Sequence, residues 1–226
     1  MIQFYFNPGP NPMKVALLLE ELGLEYTINP VDSAKGEQFS ASFTKINPNN
    51  KLPAIVDGEV VVFDSNAILL YLAEKTDQFL SDGSLTGRGE LLSWLMFVAT
   101  GIGPYSGQAV HFRHYAPDPK EYAVERYVFE ARRHYGIIDR HLADRTWMLG
   151  ETYSIVDMAV WGWARNLPFI LGAESLSTLP HLDRMMAAID ARPAAARAVV
   201  LKDRYLFKTE RDDEFRRNMF RHIQSV

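Results

Sequence analysis

Gln3-Phe4-Tyr5-Phe6-Asn7-Pro8-Gly9-Pro10-Asn11-Pro12-Met13-Lys14-Val15 reads as a strand entering a helix through a proline-rich turn. Gln3 to Phe6 alternates in the manner of a short strand, and Asn7 to Pro10 closes it. Asn11 has the chemistry of an N-cap, with Pro12 at the first helical position. Val15, Leu18, Leu19 and Leu22 then recur at helical spacing, and Gly23 ends the helix. Glu25 to Asn29 supplies a second strand. Two strands joined by a helix predict a parallel βαβ unit.

Working outward, Pro53-Ala54-Ile55-Val56 and Glu59 to Phe63 flank Asp57-Gly58. Two apolar runs around Asp-Gly predict a β-hairpin, because both turn residues tolerate positive φ. Ser65 is placed to cap a following helix with Ile68, Leu69, Leu72 and Ala73 as its buried stripe. One parallel crossover and one hairpin make an α/β layer on a small mixed sheet. Ser81-Asp82-Gly83-Ser84-Leu85-Thr86-Gly87 is a polar connector, so the expected division is residues 1–80, a linker at 81–87, and a helical domain at 88–226. In that domain a long helix is expected from Gly87 to about His111, broken or kinked at Gly101-Ile102-Gly103-Pro104, and another from Pro119 to about His141. Ser154-Ile155-Val156-Asp157 has capping-box spacing with Asp for the usual Glu. Pro180 opens a helix that ends before Arg192-Pro193. In the charge-rich tail from Asp203 to Val226, Phe215, Met219 and Ile223 fall four apart and predict an amphipathic last helix.

Composition narrows the functions. Of 226 residues 47% are apolar and 23% charged, which argues against global disorder. A formal charge of -4, from 24 Lys and Arg against 28 Asp and Glu, does not suggest the basic face that a nucleic-acid binder usually shows. The chain has no Cys, so it supplies no disulfide, thiolate metal site or sulfur nucleophile of its own. The opening lacks a secretory pattern and the longest apolar runs, such as Ala67 to Ala73, are far short of a membrane span, so a soluble cytosolic protein is expected. Gly101, Gly103 and Gly107 only approximate a dinucleotide fingerprint, and lie in helix rather than after a strand. His111 and His114 lack a third ligand, so no metal site is expected. No nucleophile elbow or Walker loop occurs, and the mixed charges from Arg211 to Arg217 read as a solvated helix face.

Three segments stand at strand–helix or loop–strand junctions of the α/β domain: Asn7 to Asn11, Asn50 to Pro53, and Asp64-Ser65. A helix start offers partial positive charge to an anion. Prolines at 8, 10 and 12 delete three N–H donors, leaving Gly9, Asn11 and the residues after 12 to donate. Taken singly, Asn11 and Asp64-Ser65 read most simply as caps, and Pro53 as a strand-entry proline.

Together these segments resemble the cytosolic glutathione transferases over nearly the whole chain. The likeness rests on the β-α-β-loop-β-β-α unit, Asn50-Lys51-Leu52-Pro53, Asp64-Ser65-Asn66-Ala67-Ile68 and Tyr153-Ser154-Ile155-Val156-Asp157. Pro8-Gly9-Pro10-Asn11 with Lys14, Lys35 to Phe39, the run from Gly103 to Phe112, and Glu125-Arg126-Tyr127 resemble the bacterial nu class, itself similar to a fungal nitrogen-regulatory protein of the same fold. The resemblance implies a thioredoxin-like N-terminal domain, an all-α C-terminal domain and a homodimer. It implies that Pro53 is cis, so that Leu52 presents its backbone to the cysteinyl part of glutathione. By the same likeness Asp64 and Ser65 bind the γ-glutamyl end, Lys51 and Asn50 reach the glycyl carboxylate, and Gln38 adds a contact. Arg126 would meet a second glutathione or a substrate carboxylate.

Glutathione would be a cosubstrate, with one or two molecules per site, and its thiolate the nucleophile. Bringing a thiol pKa from about 8.5 to neutrality takes about 2 kcal/mol, within the roughly 1.5–3 kcal/mol of one hydrogen bond to a charged acceptor. No Tyr, Ser or Cys lies in residues 7–14, and Gly9 stands where the nu class usually has Thr. That leaves Asn11 and backbone amides such as that of Gly9 as the expected donors. The implied reactions are disulfide reduction and transfer to an electrophile, the latter in an apolar pocket for which Tyr105, Phe112 and Tyr115 are candidates beside a plain core role. The alternative is a non-catalytic binding or regulatory protein of the same fold.

Overall fold

The computed structural model describes residues 1–118 and 120–222. β1 (Ile2–Phe6) buries Ile2, Phe4 and Phe6 on one face. The chain continues through α1 (Pro10–Leu22), β2 (Tyr26–Pro30), α2 (Ala41–Ile46), β3 (Ala54–Asp57), β4 (Val60–Phe63) and α3 (Ser65–Thr76). The sheet order is β2-β1-β3-β4, with β1 and β2 parallel and the two later pairings antiparallel. This is the small mixed sheet expected from the crossover and the hairpin, and the thioredoxin-like arrangement that the family resemblance implies. The Leu52–Pro53 peptide is cis.

Local details depart from expectation in three places. Helix α1 begins two residues earlier than predicted: Gly9 is its N-cap and Pro10 its first residue, while Asn11 lies inside the helix. Pro10 suits that start as well as Pro12 does, and the Asn11 side chain is drawn to another element. The hairpin turn is Gly58-Glu59, since Asp57 pairs with Val60; Gly58 alone carries positive φ (62°). Asp64, and not Ser65, caps α3: its carboxylate accepts from the Asn66 and Ala67 amides at 2.9 and 3.1 Å. Asp64 adopts φ 72°, ψ 128° to do so, a strained conformation for a residue with a side chain.

Helices follow. α4 (Leu85–Phe97) starts inside the predicted 81–87 connector, capped by Ser84. α5 (Gly103–Val110) follows it without a break at Gly101–Pro104: residues 98–102 form a π-helical turn, and residues 111–115 form a second after α5. Such a turn is a recognised place for a helix to bend. The glycines here serve close packing, because a Cβ at Gly101 would lie 2.8 Å from the His134 ring and one at Gly103 3.2 Å from Trp163 Nε1. α6 (Glu121–His141), α7 (Ile155–Ala164), α8 (Leu167–Leu171), α9 (Pro180–Asp190), α10 (Pro193–Val199) and α11 (Asp213–Met219) complete the domain. Pro119 and Ile223, used in the predictions of two of these helices, lie outside the described residues. The only strand-like pairings past residue 80, among the described residues, are isolated bridges near Trp147–Thr152.

Every residue of α7 is buried, and its N-terminus is closed by the predicted capping box. Asp157 accepts from the Ser154 amide at 2.9 Å and also takes the Met148 amide at 2.7 Å. α1 packs against α3 within its own domain and against α7 and α10 of the helical one. The helix that carries the first functional segment is therefore held from both domains.

Candidate active site

Three chambers open where the two domains meet, and all share Asn11 and Trp163 in their linings. The first, about 190 Å³, has Gly9, Gln38, Asn50, Lys51 and Leu52 in its walls. The second, about 330 Å³, has Lys14, Asp64, Ser65 and Asn66. The third, about 660 Å³, is aromatic, with Phe112, Tyr115 and Phe220. A tripeptide with one anionic end in each of the first two would cross Asn11 in between.

At that crossing the proline pattern decides which donors remain. Pro10 and Pro12 have no N–H, and the Met13 amide bonds to the Gly9 carbonyl at 3.2 Å. The Gly9 amide, expected as a donor to sulfur, is already used: it donates to Asn7 Oδ1 at 3.0 Å, while Asn7 Nδ2 donates to Ser33 Oγ at 3.0 Å. That corrects the sequence expectation for Gly9, and the cause is a local Asx turn. The Asn11 backbone N–H is left as the unpartnered amide of the first turn among the described residues.

The Asn11 side chain is oriented from the other domain. Trp163 Nε1 donates to Asn11 Oδ1 at 2.9 Å, and an indole can only donate. Ser65 Oγ adds a longer bond to the same oxygen at 3.4 Å. The amide nitrogen Nδ2 is thereby turned outward with no acceptor among the described residues. It is the neutral donor that a thiolate at the junction of the three chambers would meet.

The rest of the first chamber offers complementary groups. Ahead of Pro53, the Leu52 N–H and C=O have no partners among the described residues. Gln38 is buried, with Nε2 donating to the Asn218 carbonyl at 3.4 Å and Oε1 unpartnered. Asn50, at φ 53°, is fixed by Thr44 Oγ1 at 2.8 Å, and Lys51 is exposed. In the second chamber the Asp64 cap consumes the Asn66 and Ala67 amides and leaves the Ser65 N–H open at the positive end of α3. Arg126 is not brought to these groups: it is exposed on α6 and lies outside the lining of all three chambers.

In the third chamber Phe112 and Tyr115 are present as expected, while Tyr105 packs against Tyr127 and His134 and is absent from the lining. The tail crosses back to the first domain. The Lys208 amide donates to Asp32 at 2.7 Å and Asn218 Nδ2 to the Ala34 carbonyl at 2.8 Å. Phe220 then sits with ring centroids 4.8 Å from His111 and 5.3 Å from Tyr115. Trp163 and Phe220 were not singled out from sequence, and Asn7 only as the start of the Asn7 to Asn11 segment, with no role of its own. The partners of Trp163 and Phe220 lie in distant segments, and only Asn7 carries a local signal, the Asx-Pro-Gly turn. Among the described residues no group of His, Asp and Glu is arranged to hold a metal ion, and no helix is long and apolar enough to cross a membrane.

A thioredoxin-like domain whose cis-proline and first helix face an all-helical domain across such a cleft defines a class, and comparison with known proteins agrees. The family model for the glutathione S-transferase N-terminal domain matches residues 1–74, and that for the C-terminal domain residues 95–193. The chain belongs to the glutathione S-transferase family. It is 42% identical to the disulfide-bond oxidoreductase YfcG of Escherichia coli over 88% of this chain and 95% of that protein. Among solved structures, a glutathione transferase family member from Pseudomonas fluorescens with two glutathione bound superposes with a TM-score of 0.82, at 40% identity, over 88% of this chain and 92% of that one. A glutathione transferase from Pseudomonas putida with one glutathione disulfide bound per subunit gives 0.82 at 39% identity, over 88% and 90%.

Proposed function

We propose that the protein is a glutathione-dependent enzyme that uses the thiolate of bound glutathione to reduce disulfides, with transferase activity toward electrophilic carbon alongside. The observation that carries the reading is Asn11: the Trp163 indole holds its oxygen, so its Nδ2 donor stands open where the chambers meet. A glutathione spanning the first two chambers would place the γ-glutamyl carboxylate at the Ser65 N–H and the cysteinyl amide on Leu52. Gln38 Oε1 would gain a donor, and Asn50 and Lys51 would face the glycyl carboxylate. Arg126 is left out of this set because of its position.

The chemistry needs no protein sulfur. The glutathione thiolate attacks one sulfur of a substrate disulfide, forming a mixed disulfide and releasing a substrate thiolate, which takes a proton from solvent. A second glutathione thiolate then attacks the glutathione sulfur of the mixed disulfide and releases the other substrate thiol. Two glutathiones are oxidised to glutathione disulfide as one substrate disulfide is reduced. The roomy aromatic chamber suits the incoming disulfide or electrophile.

Other parts of the reading are an assembly and a setting. The edge strand β4 exposes Val60, Val61 and Phe63, with Met96 and Phe129 exposed on α4 and α6, which supports a homodimer; sedimentation velocity should give twice the chain mass. Dependence on reduced glutathione fits the cytosol. We place the domain division in the Ser81–Ser84 stretch ahead of α4.

One feature favours a second reading, a binding protein without turnover: Gly9 has no hydroxyl and its amide is occupied by Asn7. Incubation with glutathione and hydroxyethyl disulfide, following glutathione oxidation, separates the two. Turnover that falls at least tenfold in Asn11→Ala is expected, the loss of a charged hydrogen bond worth roughly 1.5–3 kcal/mol. Binding without turnover in the wild type would select the second reading.

A further inference from the structure

Lys14 is 1% exposed, yet it lines the chamber that holds Asp64 and Ser65. Its Nζ donates to Ser65 Oγ and to Asn66 Oδ1, both at 3.2 Å. Asn66 is itself oriented by Nδ2 donating to the Leu95 carbonyl at 3.4 Å, which turns its oxygen to the lysine. The third ammonium proton has no acceptor among the described residues. Each element packed around Lys14 contributes little compensation. On α3 the charged group facing it is Asp64, whose carboxylate is committed to the helix cap and forms no ion pair with it. On α7 it meets Gly162, where a Cβ would fall 2.4 Å from Lys14 Cγ, so glycine makes room for the stem. A buried ammonium with two neutral oxygens for partners lacks a counter-charge. The place where one would restore balance is the next position along the chain of bonds, beyond Ser65, where the Ser65 N–H also stands open.

We propose that Lys14 is a positioning residue: the buried counter-charge, acting through Ser65 Oγ, for the γ-glutamyl carboxylate of glutathione, so that the protein takes up a proton at Lys14 when that ligand binds. The inference rests on the glutathione reading above and adds a residue and a linkage to it. Burial lowers the Lys14 pKa to about 7 against the opposing pull of Asp64, so near neutrality the unliganded protein is a mixture of both forms. An arriving carboxylate favours the charged form, and binding must then weaken as pH rises above 7. Ser65 has one hydroxyl proton, so a carboxylate that takes it releases the 3.4 Å bond to Asn11 Oδ1 and leaves Trp163 to hold that oxygen.

The test is isothermal titration calorimetry of the intact protein with S-methylglutathione, whose blocked sulfur releases no proton, at pH 7.5 in buffers of differing ionisation enthalpy. Uptake of more than about half a proton per ligand is expected. The analogue with 4-aminobutyryl in place of γ-glutamyl lacks the carboxylate, and should bind with no uptake. Lys14→Met should abolish the uptake and weaken S-methylglutathione about tenfold at pH 6.5, leaving the analogue's affinity unchanged. Binding of S-methylglutathione without proton uptake, or equal weakening of both ligands by Lys14→Met, would overturn the proposal. If Lys14→Met fails to fold, the wild-type comparison of the two ligands decides alone. Absence of any binding of either ligand to the wild type would instead remove the glutathione reading, and this proposal with it.

Discussion

At Gly9 a single missing hydroxyl and one neighbouring side chain set how well a thiolate is held. A Cβ at position 9 would lie 2.9 Å from Asn7 Oδ1, which also occupies the Gly9 amide. Asn7 and a hydroxyl at 9 therefore compete for one space, and the two substitutions will not add. Gly9→Ser alone should change turnover by less than about threefold, since the new side chain must displace Asn7 before it can serve. Gly9→Ser combined with Asn7→Ala should lower the pKa of bound glutathione by about one unit, the effect of one added hydrogen bond to a charged acceptor. Titration of the thiolate ultraviolet absorbance in the complex measures it. A double variant no better than the sum of its singles would show that Asn7 does not block the position.

Helix α7 shows what a local pattern can determine. Ser154 and Asp157 close its N-terminus inside the core, where burial pushes the Asp157 carboxyl up to about 6 despite the Met148 and Ser154 donors. Asp157→Ala orphans those buried donors as well as removing a cap, and should cost about 3 kcal/mol in urea unfolding. This box was legible because all its parts lie within four residues. The β1–α1–β2 crossover and the hairpin were legible for the same reason: alternation, proline and glycine act over a few positions. Asn11 was misread as a cap because Gly9-Pro10 offers the same start signal two residues earlier, and because its partner, Trp163, lies 152 residues away. At Gly101–Pro104 a kink or break was expected, and the helical path continues as a π turn over residues 98–102, because Gly-x-Gly-Pro signals a disturbance without its kind. Least legible was the segment around α11, whose amphipathic spacing predicted a helix but not its resting place across the cleft. There Phe220 completes the aromatic chamber against His111 and Tyr115. Phe220→Ala should raise KM for an aromatic disulfide about fivefold, in line with an aromatic contact of roughly 0.5–1.5 kcal/mol, and leave KM for hydroxyethyl disulfide within twofold. Equal effects on both substrates would mean that the segment braces the fold rather than the acceptor.

Across the whole molecule α1 is the shared element, and its two acidic charges are answered from the helical domain. Glu21 takes Arg192 in two bonds, at 2.5 and 2.9 Å, with the guanidinium also 4.2 Å over the Tyr153 ring, and Glu20 pairs with Arg197 at 2.6 Å. With this helix buried between both domains, neither is expected to melt alone, and far-UV circular dichroism and tryptophan fluorescence should share one midpoint. Lys14 sits on the same helix, so its ionisation bears on the stability of the entire chain. Its folded pKa of about 7 lies below the ordinary 10.5. Below pH 7 both folded and unfolded chains carry the proton, and the cost of the buried charge is present in full. As pH rises from about 7 toward 10.5 the folded chain sheds the proton and the unfolded chain keeps it, so this group raises stability by up to roughly 1.4 kcal/mol per pH unit. Subtracting the unfolding free energy of Lys14→Met from that of wild type, pH by pH, isolates the contribution, and the difference should climb across that window. Saturating S-methylglutathione should flatten the climb just above pH 7, because a bound carboxylate keeps the ammonium charged in the folded state. A difference that stays level without ligand would place Lys14 in its charged form throughout and remove the physical basis for proton uptake on binding.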